Sequence, residues 1–165
     1  MIIDQATLKR IHNNPGHGCF GCGAQNDHGL KMEFFTDDNK IYSFMKTPSY
    51  LTGWDKSVHG GILSTILDEI MGWSVLYLVK RIGVTNSMTV DFIKSVKTDE
   101  ILTVVGEVSH VESNRHAVIN GSIFNEKDVL CVKSSGRFTT MKPEAAVRLG
   151  IVSGGFVEMF THFLS

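Results

Sequence analysis

Val58-His59-Gly60-Gly61-Ile62-Leu63-Ser64-Thr65-Ile66-Leu67-Asp68-Glu69-Ile70-Met71-Gly72-Trp73 decides how the rest of the chain is read. Ile62, Ile66, Ile70, Trp73 and Tyr77 recur at spacings of three or four, so the pattern predicts a helix over residues 61–81 with one apolar face. Lys80 and Arg81 suit the negative end of the helix dipole, and Gly83 is the expected stop. Gly61, Thr65 (or Ser64), Asp68 and Gly72 form a second stripe, small and polar, beside the apolar one.

After Gly83 the period changes to two. Residues 85–93, 101–111, 115–125 and 129–140 are rich in Val, Ile, Thr and Phe. Short polar separators, Lys97-Thr98-Asp99-Glu100, Glu112-Ser113-Asn114 and Glu126-Lys127-Asp128, predict an antiparallel meander. Before the helix, strands at 31–36 and 41–47 flank a turn at Asp37-Asp38-Asn39-Lys40. Residues 13–29 and 48–58 read as loops, and 1–12 as a short helix anchored by Ile3, Leu8 and Ile11. One long helix with an antiparallel sheet is an α+β pattern. The helix stripe should lie on the concave face of the sheet. One helix covers one face only, so an exposed edge strand predicts self-association.

The 165 residues fit one domain, since two would each have a thin core. Hydrophobic residues make up 42% and the formal net charge is −1, which argues against nucleic acid as a partner. No run of about 18 uninterrupted apolar residues occurs, so no membrane span is expected. Met1-Ile2-Ile3-Asp4-Gln5 does not have the pattern of a secretory signal. Three cysteines, Cys19, Cys22 and Cys131, fit a reducing cytoplasm better than a disulfide scaffold.

The first amides of a helix have no internal partner and carry the positive end of its dipole. Glycines at 60 and 61 let a ligand approach those amides, and a carbonyl oxygen that gains charge in a transition state can be held there. Each such donor is worth roughly 3 kcal/mol. A bare Gly-Gly is more often a turn without a ligand, but Asp68 changes the reading. Its neighbours Ile66, Leu67, Ile70 and Met71 leave it few water partners, which suits a base or nucleophile. Glu69 is the rival carboxylate, about 100° round the helix, so the two cannot face one pocket equally. From Gly60 to Asp68 is roughly 12 Å of helix, whereas general-base chemistry needs about 3 Å. If both act on one substrate, Asp68 must come from a second copy, across an antiparallel helix pair. The spacing predicts a dimer with composite sites.

Val58-His59-Gly60-Gly61-Ile62, followed by Leu67-Asp68-Glu69 and Gly72, resembles the hotdog-fold thioesterases of the PaaI-like (phenylacetate-pathway) group. Cys19-Phe20-Gly21-Cys22-Gly23 through Asn26 to Gly29-Leu30, and Leu51-Thr52-Gly53-Trp54, are similar to one branch of that group. The likeness covers about residues 19–140. It implies a hotdog fold, an antiparallel sheet wrapped around one long central helix, and a homodimer or dimer of dimers. With the rest of the chain it gives a lead-in at 1–18, a thioesterase domain at 19–141 and an apolar extension at 142–165. It implies hydrolysis of acyl-CoA to free acid and CoA, without cofactor or metal. The Gly60 or Gly61 amide would polarise the carbonyl, and Asp68 of the partner would attack it or activate water. A hydroxyl early in the strand after the helix is expected in such enzymes; Thr85 matches best and Ser87 is the alternative. The chain departs from the pattern at Gly53, where several members carry Asn, which leaves His59 a role in orienting the turn.

Other signals are weaker. Cys19 and Cys22 are half a zinc site, and a structural site needs four ligands. No second CxxC exists; His12, His17 and His28 leave a Cys2His2 site open, while the resemblance implies a metal-free loop. Lys94, Arg115, Lys133 and Arg137 are candidates for the CoA phosphates, with Asn114-Arg115 the first choice. Trp54, Trp73, Met71, Met88 and the C-terminal phenylalanines are candidates to shape the acyl pocket. The apolar tail should pack on its own domain or a partner, or gate an acyl channel. Two other functions compete: a dehydratase or hydratase on the same fold using His59, and a non-catalytic acyl-CoA-binding protein.

Overall fold

The computed structural model describes residues 3–14 and 16–164, with His162 described by its backbone alone. Seven strands, β1 (Lys9–Ile11), β2 (Phe34–Thr36), β3 (Lys40–Lys46), β4 (Ile82–Phe92), β5 (Ile101–Ser113), β6 (His116–Phe124) and β7 (Leu130–Met141), form one antiparallel sheet. Their order is β1-β2-β3-β5-β6-β7-β4. Helix α1 (Gly60–Ser74) lies in the sheet's embrace, and α2 (Pro143–Arg148) and α3 (Gly154–Leu164) close the chain.

The period-two strands put alternate residues on α1. In β6, Ala117, Ile119 and Ile123 are buried while their neighbours are only partly so. They meet Ile66, Leu67, Ile70 and Met71, all of which α1 buries completely. Each such side chain contributes roughly 1.5–3 kcal/mol, enough to hold a helix that carries three glycines. By length and composition the segment Gly60–Val79 would also pass for a membrane span. Here its apolar face is covered by the chain's own sheet.

Helix and sheet approach closely at Gly106 of β5. A methyl group there would stand 2.9 Å from the Ile70 carbonyl oxygen and against Ser74 Oγ. Overpacking of this kind costs roughly 1–3 kcal/mol, so Gly106→Ala should lower Tm by several degrees in a thermal melt. An unchanged Tm would mean that the two layers can separate freely.

Four expectations need correction. The 1–12 segment is not a helix: after a 3-10 turn at Gln5–Thr7 it forms β1, paired with β2. Ile11 is buried in the main core, and Leu8 packs with Phe35 and Tyr42 on the other side of the sheet. The strand expected from Lys31 begins only at Phe34, since Lys31 itself is left-handed (φ 52°). The helix runs on through a π-helical turn, Val75–Val79, and stops at Lys80 (φ 61°, ψ 42°), not at Gly83. Gly83 lies in β4, where a Cβ would come within 2.7 Å of Val75 Cγ1.

The fourth correction is topological. Of the four strands after α1, β5, β6 and β7 form a meander; β4 leaves it and takes the far edge beside β7. Residues 93–100 are not a hairpin turn. They are stitched to the loop before α1, with Val58 N–H donating to Val96 O (2.9 Å) and Thr98 N–H to Lys56 O (2.8 Å). Ser57 and Lys97 also form a bridge. The polar tetrad 97–100 therefore serves a crossing, and β4 has one side unpaired among the described residues.

Candidate active site

The start of α1 is arranged by His59. It is the N-cap, and its Nδ1 accepts the Gly61 N–H at 2.9 Å. Its own N–H donates to Leu51 O (3.0 Å). The Gly61 amide is thus occupied, whereas the Gly60 N–H has no acceptor among the described residues. Of the two glycines, Gly60 is the one with a donor to offer. Gly53 passes so close to His59 that a Cβ would stand 3.0 Å from its Cα, so an asparagine here would crowd the His59 backbone. Around Gly60 is a hollow of about 240 Å³ walled by Val58, Leu63, Phe92, Lys94 and Val96.

Asp68 sits two turns further on and lines a different cavity, of about 280 Å³. Its Oδ1 accepts the hydroxyl of Thr85 at 2.7 Å. A bulge selects Thr85 over Ser87. Thr85 pairs with Phe138 and Ser87 with Arg137, leaving Asn86 as an extra residue between them. Paired residues share a face of the sheet. Thr85 therefore points inward with the buried Phe138, and Ser87 outward with Arg137. Asn86 Oδ1 accepts the Thr139 hydroxyl (2.6 Å), which ties the bulge to β7. Thr85→Val would remove one hydrogen bond to a carboxylate, worth roughly 1.5–3 kcal/mol. If Asp68 is catalytic, this variant should turn over about 10–100-fold more slowly while Tm falls by no more than several degrees; unchanged turnover would mean that the hydroxyl positions nothing.

The cavity has an apolar side, made by Leu76, Ile82, Phe138, Ile151, Phe156 and Phe160. Three of these come from the C-terminal tail. Phe160 and Phe163 stack edge-on against Trp73 of α1, at centroid distances of 5.9 and 5.7 Å. The tail thus packs on its own domain and also walls the cavity. The apolar spacing on α3 was the sequence signal for this.

Glu69 reaches the same cavity from the other side, toward the loop 17–22. Its Oε1 accepts the Trp73 Nε1–H (3.2 Å), and Cys19 Sγ lies 3.6–3.7 Å from its two oxygens. The side chain is half-buried, but the packing around its carboxyl is dense, and burial pushes it up to about 7. A hydrogen bond from the Cys22 thiol draws the Cys19 thiol down to about 5, and Cys22 is pushed up in return. This loop contact brings His17, Cys19 and Cys22 to the cavity wall, which no spacing in the sequence announced.

The remaining candidates lie apart. Trp54 is 89% exposed, on the loop before α1. Asn114 and Arg115 form the exposed turn between β5 and β6. Of the four basic candidates, Lys133 is paired with Asp91 (3.5 Å) and Arg137 with Glu112 (2.8 Å). Lys94 and Arg115 have no acidic partner among the described residues.

Residues 55–132, which include α1, β4, β5 and β6, match the family model of the thioesterase superfamily. A hypothetical thioesterase of Streptococcus pneumoniae, solved with coenzyme A, has the same fold: TM-score 0.59, 25% identity, covering 63% of this chain and 82% of that one. The same bacterial protein has also been solved as alanine variants of an aspartate and of a threonine. The Escherichia coli PaaI protein, from the phenylacetic acid degradation operon, matches at TM-score 0.61 and 18% identity, over 68% of this chain and 80% of its own. An uncharacterized protein of Schizosaccharomyces pombe is 31% identical over 97 residues, 54% of this chain. The match spans about half of that relative's length, 54%. The matched segment thus sits in a hotdog fold, a sheet wrapped around α1.

Proposed function

We propose that this protein is an acyl-CoA thioesterase that works as a dimer. The observation that carries the reading is the Thr85–Asp68 hydrogen bond at a cavity with one apolar side. At about 280 Å³ the cavity is at the small end of ligand sites; it suits the acyl group, with the nucleotide of CoA left outside. Lys94 and the Asn114-Arg115 turn are the proposed phosphate contacts.

The two halves of the site lie at opposite ends of β4. A Cβ on Gly60 would stand 3.4 Å from the Phe92 ring, at one end, and Asp68 is bonded to Thr85, near the other. Pairing the open edges of two β4 strands antiparallel about a two-fold axis brings each end beside the opposite end of its partner. Gly60 of one subunit would then face Asp68 of the partner subunit. The thioester oxygen accepts the Gly60 N–H. Asp68 takes a proton from water as the water oxygen adds to the carbonyl carbon; the carbon–sulfur bond breaks and the CoA sulfur takes up the proton. Attack by the carboxylate itself, through an anhydride that water then hydrolyses, gives the same products. Support comes from the superfamily match and from the CoA bound by the Streptococcus pneumoniae protein. An aspartate and a threonine were the positions changed in that protein, the residue types of the pair here.

A dehydratase would need a histidine free to act at the substrate's α or β carbon. His59 has committed Nδ1 to the helix cap, which disfavours that reading. The test is a panel of short, aromatic and long acyl-CoAs with purified protein, followed by thiol release. Turnover of at least one class is expected. CoA binding with no release from any of them would make the protein a binder, and enoyl-CoA consumption without thiol would make it a hydratase.

A further inference from the structure

The loop 17–22 and Glu69 form a cluster that hydrolysis does not use. Cys19 Sγ, Cys22 Sγ and a Glu69 carboxylate oxygen all lie within 4.8 Å of one another. Cys19 Sγ is 3.6 Å from Glu69 Oε2, and Cys22 Sγ is 3.6 Å from His17 Nε2. Donors arranged tetrahedrally at zinc distances stand about 3.4–3.8 Å apart, and the two 3.6 Å separations are those of neighbouring donors in such a shell. We propose that Cys19, Cys22 and Glu69, with His17 as the fourth ligand, bind a zinc ion that clamps the N-terminal loop onto α1.

Two features of the surroundings support this. Glu69 has no Lys or Arg partner among the described residues, although a carboxylate in such a place needs a compensating charge. The Trp73 Nε1–H donates to both Cys22 Sγ (3.4 Å) and Glu69 Oε1 (3.2 Å), the kind of outer contact that orients metal ligands. The turn itself is built for this approach. A Cβ on Gly21 would strike the Glu69 carboxylate, and one on Gly23 would strike the Cys19 backbone.

Two thiolates, an imidazole and a carboxylate favour zinc over magnesium or calcium. Four protein ligands leave no open position, so the ion is structural. On binding, the two thiols lose their protons, and His17 Nε2 exchanges its contact with Asn13 Oδ1 (2.9 Å) for the ion. The sequence offers only Cys19, Cys22 and nearby histidines; the remaining ligand is far along the chain on α1, and only the fold brings it in. The ion would also fix one wall of the cavity that holds Asp68.

The test is elemental analysis of the untagged full chain after growth in zinc-supplemented medium. About one zinc per chain is expected, the stoichiometry of a four-ligand site. It should be lost in Cys19→Ser and Cys22→Ser, reduced at least tenfold in affinity in Glu69→Gln, and retained in Cys131→Ser and Asp68→Asn. Should the cysteine variants fail to fold, cobalt added to chelator-treated wild type gives the same answer, because thiolate ligation produces a near-ultraviolet charge-transfer band. Zinc that survives both cysteine substitutions, a Cys19–Cys22 disulfide in protein purified under reducing conditions, or reduced wild type with neither zinc nor a cobalt band would overturn the proposal.

Discussion

Asp68→Asn is expected to lower kcat for the best acyl-CoA by about 10²–10⁴-fold, the range for losing a positioned general base. KM should change little, because the acyl group meets the apolar side of the cavity and not the carboxylate. The substitution is a narrow one. Asparagine keeps an oxygen that can accept the Thr85 hydroxyl now 2.7 Å away, so the α1–β4 contact should survive and Tm should stay within a few degrees. Near wild-type kcat in a folded Asp68→Asn protein would remove Asp68 from the chemistry, and the Thr85 bond would then be only a stitch between helix and strand.

Gly60→Pro should be nearly as severe, about 10²–10³-fold in kcat, the effect of deleting one oxyanion donor. Proline takes away the N–H and little else. Position 60 opens the helix, where proline is well tolerated because that amide has no helical partner. The residue before a proline must be extended, and His59 already is, at φ −60° and ψ 134°. A Cβ at 60 would meet the Phe92 ring at 3.4 Å, an ordinary contact. Gly61→Ala makes a useful contrast. The Gly61 N–H is tied to His59 Nδ1, and although an added Cβ would press on that ring at 3.1 Å, this variant keeps both amides and should lose far less activity. If Gly60→Pro were fully active and Gly61→Ala dead, the oxyanion would have to be held at Gly61 in place of the histidine.

The parts of the fold legible in the sequence are those with a local cause. The 3.6 period of Ile62, Ile66, Ile70 and Trp73 marks α1, and the alternating β-branched runs mark the last four strands. Period two says nothing about which strand lies beside which, so the placement of β4 against β7 could not be read from it. Glycine does not mark the helix stop, because two demands fall on nearby residues: Lys80 takes the left-handed conformation, while Gly83 gives Val75 room. At the site, the eight-residue spacing of Gly60 and Asp68 was informative, because a helix has a fixed rise. Two things were invisible: the bulge at Asn86 that turns Thr85 inward, and the contact between the cysteine loop and Glu69. Both depend on residues that meet only when the sheet has closed.

The central claim is that each active site takes Gly60 from one subunit and Asp68 from the other, and mixed dimers test it most directly. Asp68→Asn and Gly60→Pro chains, each inactive alone, are co-expressed with different tags, and the species carrying both tags is isolated. In a composite arrangement one of its two sites has both lesions and the other has none. Activity should therefore return to about half the wild-type value per dimer, as two-fold symmetry requires. If Gly60 and Asp68 of the same chain serve one site, every site in the mixed dimer has a lesion. A mixed dimer as inactive as its parents, or a protein that stays monomeric while turning over substrate, would contradict the account.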